Sequence, residues 1–274
     1  MRFCMKRLVL WLLVMLFYTS AGAQDFKAYR GVVPGSYNFW FHDPEGGSHK
    51  DPKAHFPLLI FLHGKSLSGY NLERVKRYGP ISAVAKGLNI DSYILAPQTN
   101  NGWSPEKVMK IVDWAIKNFA VDTTRIYVYG MSMGGYGTID LCATYPDRIA
   151  AGMAACGGAT VKNVEGLSKV PMWILHGTAD RAVPFSASQK VVDAMEKTGT
   201  DRLIFTPLKG VDHGRPARLF YMTQTYDWLF SHSTKDPGRE VCRDFKVTPE
   251  MLSKAYEDLR DLHSKDGKEE EYME

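Results

Sequence analysis

Long hydrophobic runs are scarce in this 274-residue chain. The unbroken apolar stretch from Leu8 to Tyr18 falls short of the roughly 20 residues that a bilayer span requires. Cysteine is scarce too, with four in the chain, namely Cys4, Cys142, Cys156 and Cys242. So few thiols exclude a disulfide scaffold, and no Cys/His spacing suits a zinc site. Cys142 and Cys156 sit in apolar helix-like and strand-like patterns, which suits packed thiols better than a bridge. No internal repeat is visible.

Charge of one sign is also lacking once the N-terminus is read. Arg2, Lys6 and Arg7 precede the apolar run, and Ala21-Gly22-Ala23 follows it as an A-x-A cleavage site. That pattern predicts a signal peptide over residues 1–23, cut after Ala23, and a periplasmic or secreted protein without a stable membrane anchor. Cys4 lies before the apolar run rather than after it, which argues against a lipoprotein. The 34 basic residues less these three leave 31 against 30 acidic. A balance so close to neutral carries no footprint for nucleic acid or an anionic membrane surface.

What is present is apolar material, 45% of the chain, arranged in alternation. Strand-like runs occur at Tyr37–Phe41, Phe56–Leu62, Ser92–Ala96, Ile126–Tyr129, Ile149–Cys156, Val170–Leu175 and Leu203–Pro207. Helix-like segments lie between them. Ser104-Pro105 opens one with Val108, Ile111, Val112, Ala115 and Phe119 at helical spacing. Others are expected after Ser132, from Ser186 to Lys197 and from Arg218 to Phe230. Continuous apolar strands alternating with helices predict a mainly parallel α/β sheet covered on both faces. The expected organisation is a catalytic domain over residues 24–233 and a charged tail over 234–274. Thr248-Pro249 opens a candidate helix in that tail, with Leu252, Tyr256, Leu259 and Leu262 on one stripe. The composition of the tail implies a solvated or lightly docked appendage.

Chemistry is expected just beyond the C-terminal ends of parallel strands. At the first such place Gly130-Met131-Ser132-Met133-Gly134 forms G-x-S-x-G between a strand and a helix. The turn presents the Ser132 hydroxyl above the sheet, and the helix N-terminus aims N–H groups at an oxyanion formed there. After the Val170 strand comes His176-Gly177-Thr178-Ala179-Asp180, and after the Leu203 strand comes Asp212-His213-Gly214. Serine, acid and histidine thus follow in the order this constellation uses. Serine needs a neutral imidazole to take its proton, and the imidazole needs a carboxylate to fix its tautomer. Asp180 is preferred over Asp212, whose short side chain is adjacent to His213, and over Asp201, which precedes a strand. His176 reads as a structural loop histidine. Leu62-His63-Gly64-Lys65-Ser66 supplies the remaining loop, so the Lys65 and Met133 N–H groups are the expected oxyanion donors. Trp103, in Asn100-Asn101-Gly102-Trp103, is the candidate for gripping a sugar or an aromatic acyl group, the alternative being a tryptophan that caps its own helix.

These residues, GMSMGGYGT, LHGKS, HGTADRAVP and the late Asp-His pair, together resemble the α/β-hydrolase fold. Within it they are most similar to exported bacterial carbohydrate and feruloyl esterases and to polyhydroxybutyrate-depolymerase-like enzymes. The resemblance spans Tyr37 to Phe230. It implies a serine carboxylic-ester hydrolase with minimal or no cap, with Ser132, His213 and Asp180 as its triad. A carbohydrate or small-molecule ester would be the substrate, with no metal or other cofactor. Prolyl-oligopeptidase-type peptidases share G-x-S-x-G-G and H-G-x-x-D-x-x-V-P, which leaves a peptidase as the alternative. An inactive fold used as a binding module is the other alternative. Lys65-Ser66 departs from the glycine-rich continuation common after His-Gly, and bears on the second oxyanion donor.

Overall fold

A computed structural model describes residues 26–44 and 55–256. The expected leader, its cleavage site and the tail beyond Tyr256 lie outside the described residues. Among the described residues no helix is long and apolar enough to cross a membrane. In chain order the elements are β1 (Phe26–Tyr29), β2 (Asn38–His42), β3 (Phe56–Leu62), α1 (Pro80–Ala85), β4 (Tyr93–Gln98) and α2 (Pro105–Asn118). Then come β5 (Val121–Met131), α3 (Met133–Thr144), β6 (Ala151–Ala155) and β7 (Met172–Gly177). The series closes with α4 (Ser186–Glu196), β8 (Leu203–Leu208), α5 (Thr223–Phe230) and α6 (Pro249–Lys254).

The strands form one eight-stranded sheet in the order β1-β2-β4-β3-β5-β6-β7-β8. β1 and β2 pair antiparallel, as do β2 and β4, and every later pairing is parallel. Side chains of a strand alternate between faces, and here both faces are buried. Leu58, Ile60, Leu62 and Val128 point to the side covered by Val108, Ile111 and Val112 of α2 and by Ile139 and Leu141 of α3. Leu59, Phe61, Tyr127, Tyr129 and Trp173 point to the side covered by Ile81 of α1 and by Trp228 and Leu229 of α5. Double coverage is why the central strands β3, β4, β6 and β7 carry no polar alternation. Register then aligns the strand ends: Leu62 pairs with Gly130, Met131 with Ala155, Ala155 with Leu175, and Gly177 with Leu208. The loops after β3, β5, β7 and β8 therefore emerge along one edge.

Two sequence expectations are revised. The helix expected over Arg218–Phe230 is split into a 3-10 turn, Arg215–Tyr221, and α5. Met222 between them is extended (φ −108°, ψ 114°), so the periodic apolar pattern spans a break that periodicity alone does not report. The larger revision concerns the segment after Ser233, whose composition implies light docking. Up to Tyr256 it is packed into the core, with Val241, Val247, Leu252 and Ala255 buried beside Trp228 and Leu229. Trp228 Nε1 donates to the Cys242 carbonyl at 2.9 Å. The Arg239 guanidinium donates to the carbonyls of Pro146, Ile149 and Ala150. Its charge is spent on backbone carbonyls rather than on solvent, which a charge count cannot distinguish. The Thr248 cap does form, its side chain accepting from Met251 N at 3.2 Å.

Candidate active site

Ser132 occupies the sharp junction between β5 and α3 with φ 59° and ψ −123°, a left-handed backbone that a residue with a Cβ rarely adopts. The turn is held from outside by its own N–H, which donates to the Ala155 carbonyl at 2.8 Å. It is also held by the Tyr136 N–H, which donates to the Ser132 carbonyl at 3.0 Å. The glycines on either side permit the approach. A Cβ on Gly130 would lie 2.3 Å from the Gly134 carbonyl oxygen, and one on Gly134 would lie 1.7 Å from that of Leu62. No larger residue fits either place.

The loops after β7 and β8 bring two partners to this hydroxyl. His213 Nε2 lies 3.0 Å from Ser132 Oγ, and its Nδ1 lies 2.6 Å from Asp180 Oδ2. The imidazole is 26% exposed while the carboxylate is fully buried. Asp180 Oδ1 accepts from the Ala182 and Val183 N–H groups at 2.8 and 2.9 Å. Burial alone would raise this carboxyl, but the bonds from His213, Val183 and Ala182 outweigh it and hold it below the ordinary range. It is thus a carboxylate with every oxygen engaged.

The rival residues point elsewhere. Asp212 Oδ1 accepts from Gly214 and Arg215 N–H at 3.0 and 3.1 Å, so its carboxylate folds the loop that carries His213. Asp201 precedes β8, at the opposite edge of the sheet. His176 is buried behind Asp180, with Nδ1 2.7 Å from Ser188 Oγ and Nε2 3.1 Å from the Val183 carbonyl. Burial lowers its pKa against the opposing pull of Val183 and Asp180. Cys156, His176 and Asp180 place their ligand atoms within 4.8 Å of one another, a cluster of metal-binding residue types. Burial pushes the Cys156 thiol up to about 12, and Asp180 is committed to His213 and two backbone donors. The cluster reads as the packed backing of the carboxylate.

Lys65, Met133 and Trp103 all line the cavity of about 910 Å³ into which Ser132 and His213 open. The Gly64 N–H is not available there, because it donates to the Tyr78 hydroxyl at 2.8 Å. The next N–H along the loop is that of Lys65. The Trp103 indole N–H donates to the His63 carbonyl at 3.2 Å, and its ring stands edge-on to Tyr37 and His63. Only the hydrocarbon of the indole is left to a ligand. His63 ties the two loops together: Nδ1–H donates to the Gly64 carbonyl at 2.7 Å, and Nε2 accepts from the Thr99 N–H at 3.2 Å. The tautomer follows from Nε2 being the acceptor. Tyr78 and the linking role of His63 were not foreseen from the sequence. No spacing relates Tyr78 to Gly64, and His63 differs from a turn residue only through its contact with Thr99.

A mainly parallel sheet with helices on both faces, and a serine on a strand–turn–helix with histidine and acid on later loops, is the α/β-hydrolase fold. The comparisons agree. Residues 99–229 match the family described as Phospholipase/Carboxylesterase. The chain is 31% identical over 137 residues to the bifunctional acetylxylan esterase/xylanase XynS20E of Neocallimastix patriciarum, covering 45% of this chain and 19% of that protein. It is 26% identical over 147 residues to poly(3-hydroxyalkanoate) depolymerase C of Paucimonas lemoignei, covering 47% of this chain and 33% of that one. Among solved structures, a thermostable esterase superposes with a TM-score of 0.63 at 26% identity, covering 76% of this chain and 63% of that one. The chain thus spans a fifth to a third of the length of these two curated relatives.

Proposed function

We propose that the protein is an exported serine hydrolase that cleaves carboxylic esters, specifically acyl or feruloyl esters carried on carbohydrate. The observation that supports this most is the hydrogen-bonded run from Ser132 Oγ through both nitrogens of His213 to Asp180 Oδ2. In the proposed reaction Ser132 Oγ attacks the ester carbonyl carbon while His213 Nε2 takes the hydroxyl proton. Asp180 holds the imidazolium, and the N–H groups of Lys65 and Met133 receive the charge on the carbonyl oxygen. Collapse breaks the bond to the alcohol, which leaves with the proton from His213. Water then attacks the acyl-serine with His213 as base, releasing the acid and restoring Ser132. Every proton is accounted for by His213, and the reaction asks for no cofactor.

The carbohydrate part of the reading draws on the openness of the site and on the names of similar proteins. Between Ser132 and Asp180 the described chain contains only α3, β6, a 3-10 turn at Glu165–Lys169 and β7, none of which forms a lid. An open cavity lined by the Trp103 indole suits an ester on a bulky carrier. Residues 24–233 would carry the chemistry after removal of 1–23, with the docked segment completing the fold. A panel with purified mature protein tests this: kcat/KM on acetylated or feruloylated oligosaccharides against nitrophenyl esters, long-chain lipid esters and peptides. The expected order places carbohydrate esters first and peptides last. Preference for lipid esters, or peptide cleavage at comparable rates, would reject the substrate assignment.

A further inference from the structure

Tyr70 is 88% exposed, against 42% and 36% for Val32 and Tyr256, the other exposed large apolar side chains among the described residues. Exposed rings ordinarily sit on loose loops, but this loop is fastened. The Gly69 N–H donates to the Thr99 carbonyl at 3.2 Å. Gln98 Nε2 donates to the carbonyls of Leu67 and Asn71 at 2.9 and 2.8 Å. The Tyr70 hydroxyl itself accepts from Asn100 Nδ2. The ring is therefore held at a fixed place with its faces left to solvent.

That place adjoins the two loops that line the cavity. The loop after β3 contributes Lys65 and Ser66 to the lining, and the loop after β4 contributes Asn101, Gly102 and Trp103. The bond between Tyr70 and Asn100 joins these two loops just outside. Around it the exposed side chains of Ser66, Asn71, Asn100 and Asn101 are neutral hydroxyls and amides, while Lys65 and the half-buried Arg74, whose Nη2 donates to the Ser66 carbonyl at 2.7 Å, add cations. One apolar ring among amides suits a ligand whose faces are C–H and whose edges are hydroxyl, as in a pyranose. A lipid chain would need continuous apolar surface, which this strip lacks.

We propose that Tyr70 is the platform of a sugar subsite, on which a neutral pyranose unit stacks while the ester borne by the same oligosaccharide reaches Ser132. The Asn100 and Asn101 amides bond its hydroxyls. A tyrosine already fixed in position gives up little conformational freedom on binding. The proposal names the carrier in the carbohydrate-ester reading above, and rests on that reading.

The test uses unesterified xylohexaose titrated into mature Ser132→Ala protein by calorimetry, so that binding is read without turnover. Saturable binding is expected, weakened at least tenfold by an added Tyr70→Ala and kept by Tyr70→Trp, with thermal unfolding confirming the fold of each. Equal binding in the Tyr70→Ala protein, or no binding at millimolar xylohexaose, overturns the subsite. In the otherwise wild-type enzyme, Tyr70→Ala should lower the ratio of kcat/KM on an acetylated xylo-oligosaccharide to that on nitrophenyl acetate at least tenfold. An unchanged ratio with good turnover of both sinks the subsite and spares the reading. Tyr70-dependent binding by a protein that hydrolyses no carbohydrate ester does the reverse.

Discussion

The Tyr78 hydroxyl accepts the Gly64 N–H at 2.8 Å, fixing from the side the loop that runs beside Ser132. Where a glycine-rich continuation would shape this loop by backbone freedom, Lys65-Ser66 leaves the task to an outside ring. Tyr78→Phe keeps the ring and removes the acceptor. A buried N–H left unpaired costs about 1–3 kcal/mol, and the Lys65 N–H is its immediate neighbour. We expect kcat on a small ester to fall about tenfold or more with KM changed less than threefold, because the proposed Lys65 donor would act on developing charge. Equal kinetics in a folded Tyr78→Phe protein would show that Tyr78 does not position this loop for catalysis.

The acid can be told from its neighbour by parallel substitutions. Asp180→Asn abolishes the carboxylate that holds His213 Nδ1, and turnover should drop by orders of magnitude. Asp212→Asn weakens two acceptor bonds within the His213 loop, and a loss of no more than tenfold is expected. Measured kcat/KM values in the opposite order would exchange the two roles.

His63 makes a pH prediction. Burial, aided by the charge of Arg74 and opposed by the bond to the Gly64 carbonyl, lowers its pKa from 6.5 to about 4. Between those values the unfolded chain binds a proton that the folded one refuses, so stability falls as pH falls from 6.5 to 4. His176 and His232 are lowered as well and act in the same direction. His63→Gln should lose less stability across this window than the wild type, by up to about 3 kcal/mol. Urea titrations at pH 7 and pH 4.5 measure the difference. Identical pH dependence in the two proteins would show that His63 is free to protonate in the folded state.

The docked segment makes a stability prediction. Leu252 is fully buried against the core, so Leu252→Ala should cost about 2–5 kcal/mol in denaturant unfolding. Truncation after Ser233 removes Leu252, Val241, Val247 and the Arg239 bonds together and should leave little folded protein. A truncated chain that unfolds at the wild-type temperature would contradict the packing described here.

Legibility in the sequence followed the range of the interactions. Ser132 stood out because G-x-S-x-G is a local pattern with a strand before it and a helix after it. Asp180 and His213 could be located because parallel strands put their following loops on one edge, so strand order in the chain implied proximity in space. The strands β3, β4, β6, β7 and the second half of β5 were legible as continuous apolar runs for the same double coverage that buries them, while β8 is apolar but only half-buried. Tyr78 was not legible, since a hydroxyl meeting an N–H fourteen residues away leaves no periodic trace. The packing of residues 234–256 was hidden by charge, because Arg239 ends on carbonyls that no composition reveals. The break at Met222 was hidden by apolar residues on both sides of it.

The proposed reaction stands or falls on Ser132 as the nucleophile. Its most direct test is intact-protein mass spectrometry after a brief exposure to a fluorophosphonate, with turnover of nitrophenyl acetate measured alongside. The wild type should gain one covalent adduct, mapped to the peptide containing Ser132, and lose all turnover in proportion. The folded Ser132→Ala protein should gain none and should hydrolyse the ester several orders of magnitude more slowly. Turnover near the wild-type rate in Ser132→Ala, or full labelling at another residue, would contradict it.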